Sequence, residues 1–389
     1  MTSVDEFAGR RASYVHIPFC SAVCPYCDFA VVAGEEALID RYAAAVVAEI
    51  EMSPRLGPLD SVYFGGGTPS HVPPDVLGRI LETLHRHHRL AVGAEVSMEA
   101  NPEDFDADRG RELVELGFNR VSFGAQSFDG VVLAALGRRH GPEQIEASVA
   151  AARAAGFRSV SVDLIFGTPA ETDGSWAESL EQAIASGVDH VSCYALTVEP
   201  GTPLNKAVIG GAPAPDPDVQ AGRYEAALDG LGRAGYERYE VSNWSWPGHE
   251  CRYNLTVWAQ GSYEAYGNGA HRFRDGTRSH NVRRLEAYLD RVEHGQRPIA
   301  GVEPVEGWDA EIDRLFVGLR RAAGVARGPG VEALLDTADG VRLIEAGVID
   351  LAGDRLVVRR PLLTDAVHRA VLGLDAPAGW VEPATADIV

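Results

Sequence analysis

Cysteine is scarce, with five in 389 residues, too few in too long a chain for the disulfide framework of a small secreted domain. Basic residues are in short supply as well. Lys plus Arg number 35 against 56 Asp plus Glu, and the formal charge of −21 would be repelled by a duplex phosphate backbone, which disfavours broad nucleic-acid binding. No uninterrupted apolar run reaches the roughly 20 residues of a membrane span. Residues 1–13, with Asp5 and Glu6, lack the apolar stretch of a signal peptide. The expectation is a cytoplasmic protein without a transmembrane segment. Low-complexity tracts are missing too, and 46% apolar with 23% charged residues is an ordinary globular mixture, which excludes disorder, collagen and coiled coil. At about 150 residues per domain, the length allows two or three domains.

What is present begins with short runs rich in Val, Ile, Phe and Tyr at 14–17, 61–64, 95–99, 120–124, 159–166 and 190–196, each reading as a buried strand. Helical spacing fills the gaps at 37–51, 74–87, 107–116, 142–155 and 175–185. Strands alternating with helices imply parallel pairing through right-handed crossovers. Periodicity does not choose between an open doubly wound sheet and a partial barrel. The unusual residues fall at equivalent places: Cys20 after the first strand, Gly65 to Pro69 after the second, Glu99 to Pro102 at the end of the third, Gln126 and Ser127 at the fourth, and Asp163 in the fifth. In a parallel array these ends point one way, so one shared site is expected there.

Further on, Pro200, Pro203, Pro213, Pro215 and Pro217 mark a linker or crossing loop. A helix is expected at 219–234, a strand at 236–241, and an aromatic, glycine-rich segment at 244–271. Helices at 311–321, 331–335 and 341–346 and a hairpin at 348–358 suggest a small helical domain with a β-wing. The last residues, with Pro377 and Pro383, read as a frayed tail.

Cys20, Cys24 and Cys27 are spaced by four and three residues, so one loop can wrap all three around a metal centre. Thiolates suit zinc or an iron–sulfur cluster, and both commonly take four cysteines. His16 is a candidate fourth zinc ligand. Cys193, alone in a strand, reads as buried packing. A cluster held by only three thiolates leaves one iron open to a small-molecule ligand.

The CxxxCxxC loop after a first strand, followed by a GGGTP turn, resembles the signature of radical S-adenosylmethionine proteins. That resemblance implies a 4Fe-4S cluster on Cys20, Cys24 and Cys27, with S-adenosylmethionine chelating the fourth iron. One electron would then generate a 5'-deoxyadenosyl radical. The stretches 14–20 (YVHIPFC), 99–102 (EANP), 124–128 (GAQSF) and 239–243 (YEVSN) are similar to the oxygen-independent coproporphyrinogen oxidase-like group. By that resemblance Glu99 lies near the nucleoside, Gln126, Arg138 and Asp163 contact S-adenosylmethionine, and Tyr14, Tyr26, Gly66, Gly67, Thr68 and Ala195 complete the set. Two features favour its haem chaperone branch. Phe29 stands where the oxidase has a further cysteine, and nineteen residues precede Cys20, where the oxidase has a longer head.

The chaperone branch carries an HNxxYW motif whose histidine is implicated in haem binding. Here the stretch is Tyr253-Asn254-Leu255-Thr256-Val257-Trp258. A neutral phenol is a weak haem ligand. Arg252 is adjacent to Tyr253, and His271 is a candidate replacement, otherwise an exposed loop histidine. The resemblance thus implies an α/β radical S-adenosylmethionine fold: a six-unit partial TIM-like barrel over 10–245, an aromatic closing segment over 246–300, and a small C-terminal winged-helix-like domain over 301–375. It also implies haem as a further ligand, recipient haem proteins as partners and an external one-electron reductant, since no flavin or nicotinamide fingerprint is found. The alternative is an enzyme acting on a porphyrin-like substrate, or a related methyltransferase. No residue identifies itself as a substrate acid or base.

Overall fold

A computed structural model describes residues 6–378 and 380. At its centre are β1 (Arg11–Ile17), β2 (Leu59–Gly66), β3 (Leu90–Ala100), β4 (Arg120–Gln126), β5 (Ser159–Phe166) and β6 (His190–Ala195). They are neighbours in that order and all parallel. Their outward positions are apolar and buried: Val62 and Phe64, Val96 and Met98, Val121 and Phe123, Val160, Val162 and Leu164, Val191 and Cys193. Cys193 is thus packing, as its place in a strand suggested.

Five helices cover that face: α1 (Ile39–Met52), α2 (Pro74–His88), α3 (Ala107–Leu116), α4 (Pro142–Ala155) and α5 (Asp173–Ala185). Each brings apolar residues at helical spacing into the same core, such as Leu77, Ile80, Leu81 and Leu84 of α2. Local chemistry sets their ends. Asp106 accepts from the Arg109 amide ahead of α3 and Thr172 from the Ser175 amide ahead of α5, while Pro74 and Pro142 occupy first turns.

Further strands are β7 (Glu237–Arg238), β8 (Asn243–Ser245), β9 (Ser262–Tyr266), β10 (His271–Arg274), β11 (Thr277–Asn281) and β12 (Ile299–Pro304). Among the described residues they complete a 12-stranded sheet in the order β12-β11-β10-β9-β1-β2-β3-β4-β5-β6-β8-β7. β9 adds in parallel beside β1, whereas β8 runs antiparallel to β6. The sheet stays open, which makes the barrel partial.

A second core, around Leu315, Leu334, Ile349, Leu356 and Val367, belongs to the C-terminal helices and their three-stranded sheet. The expected hairpin forms there from Ile349–Ala352 and Arg355–Val358. Of the tail expected to fray, 381–389 lie outside the described residues.

Three local readings change. The proline-rich linker contains a helix, Pro203–Ile209, because the Thr202 hydroxyl accepts from the Asn205 amide and Pro203 fits a first turn. The strand expected at 236–241 shortens to β7, since Glu240 turns inward to bind the Ser242 amide and the Asn243 side chain. Within the segment expected only to be aromatic and glycine-rich, Tyr253 and Arg252 lie on a helix, α6 (Arg252–Trp258). No helix among the described residues is long and apolar enough to cross a membrane.

Candidate functional site

The inward face of the same strands is polar. Tyr63 of β2, Ser97 and Glu99 of β3, Arg120, Ser122 and Gln126 of β4, Asp163 of β5, and His190, Ser192 and Tyr194 of β6 share one cavity of about 540 Å3 with the cysteine loop. Every residue expected to hold the cluster or S-adenosylmethionine lines it except Tyr14: Cys20, Cys24, Tyr26, Cys27, Gly66, Gly67, Thr68, Glu99, Gln126, Arg138, Asp163 and Ala195. Tyr14 stands behind, its ring stacked on Tyr63 at 6.3 Å.

The cysteine loop is stitched to the glycine turn after β2. The Gly67 amide donates to Ile17 O at 2.8 Å and the Thr68 amide to Phe19 O at 2.9 Å. Close approach, rather than a tight turn alone, accounts for the glycines. A Cβ at Gly67 would fall 2.9 Å from Cys20 Sγ and 2.8 Å from Pro18 O, and one at Gly66 (φ 116°) 2.3 Å from His16 Nδ1. At the loop's exit, Ala30 O receives both His16 Nε2 at 3.0 Å and Asn268 Nδ2 at 3.2 Å. Because a carbonyl only accepts, His16 carries its proton on Nε2, and Nδ1 accepts from the Tyr14 hydroxyl at 3.2 Å. His16 is therefore occupied in bracing the loop, not in position as a fourth zinc ligand.

Burial pushes the Cys20 thiol up to about 11 and raises that of Cys27. Two donors nevertheless point at sulfur: the Thr68 hydroxyl at Cys20 Sγ (3.5 Å) and Arg138 Nη1 at Cys24 Sγ (3.4 Å). Such donors favour the thiolate, the form that binds metal. Three thiols, two donors and a wall with no side chain to obstruct it fit a metal–sulfur cluster at this corner. Arg138 is the arginine that lines this corner. It also binds Asn101 Oδ1 at 2.5 Å and Gly124 O at 3.1 Å, while its Nε has no hydrogen-bond partner among the described residues.

Glu99 accepts from Tyr63 Oη at 2.8 Å and from the Gly66 amide at 3.1 Å. Burial pushes its carboxyl up to about 7, and the nearby Asp163 charge adds to the rise against those two hydrogen bonds. Burial likewise raises Asp163, which Ser192, Ser122 and the Arg120 charge pull back down. Gln126 ends β4 with φ 64°, a left-handed conformation unusual for a residue with a side chain. Such strain gathers at ligand sites, where it fixes how a side chain is presented. Burial holds the Tyr26 phenol neutral at the rim.

Sequence reasoning missed Tyr63, Ser97, Arg120, Ser122, His190, Ser192 and Tyr194, whereas Asn101 and Asn254 stood in flagged stretches without a role assigned to them. Arg120 and Ser122 lie at even spacing from Gln126 on β4, and His190, Ser192 and Tyr194 alternate along β6, so alternation along the strands was the available signal. His190 faces the cavity with both ring nitrogens committed, to Ser161 at 2.7 Å and Tyr239 at 2.8 Å.

Neither expected haem ligand lines the cavity. Tyr253 of α6 stacks on Tyr63 at 5.2 Å and Tyr14 at 5.9 Å and meets Tyr263 edge-on at 6.1 Å. Burial raises its phenol well above the usual range, so it is neutral and poorly suited to iron. His271 lies in β10, not in a loop, and is exposed.

A model of the radical SAM superfamily matches residues 14–183. The heme chaperone HemW of Mycobacterium tuberculosis (strain ATCC 25618 / H37Rv) is 42% identical over 376 residues, covering 92% of this chain and 94% of its own. HemW of Bacillus subtilis (strain 168) is 32% identical over 352 residues, with 89% and 92% covered. Among solved structures, the coproporphyrinogen III oxidase HemN from Escherichia coli, described as a radical SAM enzyme, aligns with a TM-score of 0.81 at 22% identity, covering 95% of this chain and 91% of that one. This last likeness is one of fold. The chain belongs to the radical SAM superfamily and, within it, to the HemW family.

Proposed function

We propose that the protein is a haem carrier built on a radical S-adenosylmethionine core, taking up haem and passing it to recipient haem proteins. The observation that carries this reading is the similarity to proteins named heme chaperones over nine-tenths of the chain. Family membership implies a 4Fe-4S cluster and S-adenosylmethionine. Cys20, Cys24 and Cys27 would hold the cluster. When bound, it supplies an electron, delivered by an external reductant, to the sulfonium of S-adenosylmethionine.

The chain's own residues supply binding and orientation. Backbone groups of Gly66 and Gly67 come close to the ligand's methionyl end, and the Thr68 hydroxyl and Arg138 stabilise thiolate charge. Glu99 would present its carboxyl group near the nucleoside, Asp163 and Gln126 would contact the same ligand, Tyr26 and Ala195 would shape the remaining wall, and Tyr14 would support it from behind. The likeness to HemN is one of fold and brings no substrate with it.

The test is anaerobic reconstitution followed by iron and sulfide analysis, haemin titration, and transfer to an apo-haem protein. Wild type should bind a cluster and haem and pass the haem on. Cys24→Ala should lose the cluster and its brown absorption. Failure to bind haem, together with 5'-deoxyadenosine accumulating in the presence of a porphyrin, would replace the carrier by an enzyme.

A further inference from the structure

The cavity extends well below the residues assigned to the cluster and S-adenosylmethionine. Most of those stand at or beyond the carboxyl ends of the strands, whereas Arg120, which also lines the cavity, opens β4 while Gln126 closes it. At the rise of a strand the two are roughly 20 Å apart.

Arg120 is 3% exposed, yet it forms no ion pair among the described residues. Its Nη1 donates to Ser159 Oγ and to His249 O, both at 2.8 Å, and its Nε and Nη2 make no hydrogen bond among those residues. Glu95 and Asp163 act on it through space. Each is engaged elsewhere, Glu95 by the Arg252 amide at 3.0 Å and Asp163 by the Ser122 hydroxyl at 3.0 Å. Burial pushes the neighbouring Cys251 thiol up to about 12 and keeps His190 neutral, so neither supplies a compensating charge. A buried cation with no counter-ion in contact is costly. An anion in the space before it offsets that cost.

Two further donors stand beside it. The register places Ser97 of β3 between Tyr63 of β2 and Arg120. Ser97 is 1% exposed and lines the cavity, and its hydroxyl has no hydrogen-bond partner among the described residues. Asn254 of α6 lines the cavity too, and its side-chain amide makes no hydrogen bond among the described residues.

We propose that this lower end of the cavity binds the carboxylate of a small organic acid, with Arg120 as its counter-ion and Ser97 and Asn254 as further hydrogen-bond donors. The Nε–Nη2 edge of a guanidinium offers two parallel N–H groups that match a carboxylate. One positive charge, with Glu95 and Asp163 close by, suits a monoanion and disfavours a phosphate dianion. The body of the acid lies above Arg120, towards Asp163 and Glu99, and so beneath S-adenosylmethionine in the same cavity. The inference goes beyond the carrier reading, which asks nothing of this end of the barrel. It gives the core a small-molecule ligand of its own.

Thermal unfolding of the full-length protein in sodium propionate, against sodium chloride at the same ionic strength, tests this. Propionate should raise the wild-type midpoint saturably, with chloride and phosphate doing so much less. Arg120→Met should lose the response. Asn254→Asp, close in shape but negatively charged, should weaken propionate binding about tenfold, and Ser97→Ala about fivefold. Circular dichroism and iron content after reconstitution report whether each variant is folded, and Asn254→Asp carries the test if Arg120→Met is not. A wild-type midpoint that responds to propionate no more than to chloride overturns the inference, as do folded variants that respond as wild type does. Haemin displacing propionate would put a porphyrin's carboxylate there instead and overturn the small-acid assignment.

Discussion

The two faces of β1 to β6 are made by the same residues in alternation, yet they do opposite work. Outward, Val62, Phe64, Val121, Phe123 and Val162 are essentially fully buried against helices. Inward, Ser97, Ser122 and His190 are buried and Glu99 and Asp163 half-buried, and all carry polar groups to the cavity. The outward face supplies the hydrophobic stabilisation, about 1.5–3 kcal/mol for each large side chain removed from water. The inward face spends part of it, since buried carboxylates are costly even when hydrogen-bonded. The lesson is that a period of two lets one strand hold the fold with one side and a reactive site with the other.

That contrast can be broken or sharpened by substitution. The largest effect on the inward side is Cys24→Ala, expected to abolish cluster binding by iron analysis while leaving the thermal unfolding of the cluster-free chain nearly unchanged. On the outward side, Phe123→Ala removes a fully buried ring that meets Phe105 at 4.9 Å, and it should cost about 3–5 kcal/mol in urea unfolding. A wild-type-like midpoint would show that the outward face is not the one that holds the barrel.

Glu99 comes next. Its carboxyl is raised from the ordinary 4.5 to about 7, so the folded state holds its proton more tightly than the unfolded chain does. Its relative contribution is present below about pH 4.5 and is lost as pH rises through 7. Cluster-free wild type should therefore lose stability between pH 5 and pH 8, by at most on the order of 3 kcal/mol from this group. Glu99→Gln should flatten that part of the profile, and an unchanged slope would remove Glu99 as its source. Ser122→Ala is the smallest change. It deletes a 3.0 Å hydrogen bond to Asp163, should cost about 1 kcal/mol or less, and should move the Asp163 titration upward, which carboxyl NMR would detect.

The six strands and the helices between them were legible because each has an unambiguous period and recognisable ends. The corner with Cys20, Cys24, Cys27 and Gly66 to Thr68 was legible because its spacing is unusual. Other parts were hidden for physical reasons. The helix at 203–209 was masked by the prolines around it, although the Thr202 cap was there to be read. Tyr63 was unremarkable in sequence and matters because its hydroxyl donates to Glu99, while Asn101 stood in the flagged 99–102 stretch without a role until the fold set its Oδ1 to accept from Arg138.

One hydrogen-bonded carbonyl has a consequence for how the protein matures. Ala30 O is held from one side by His16, made early in synthesis, and from the other by Asn268, made much later. β1 likewise waits for β9 to cover its free edge. Translation proceeds from the amino terminus, so a nascent chain displays its three cysteines well before the strut that fixes the loop's exit has left the ribosome. Metal loading is therefore expected after release, and truncations ending before residue 268 should take up iron poorly even though every thiol is present.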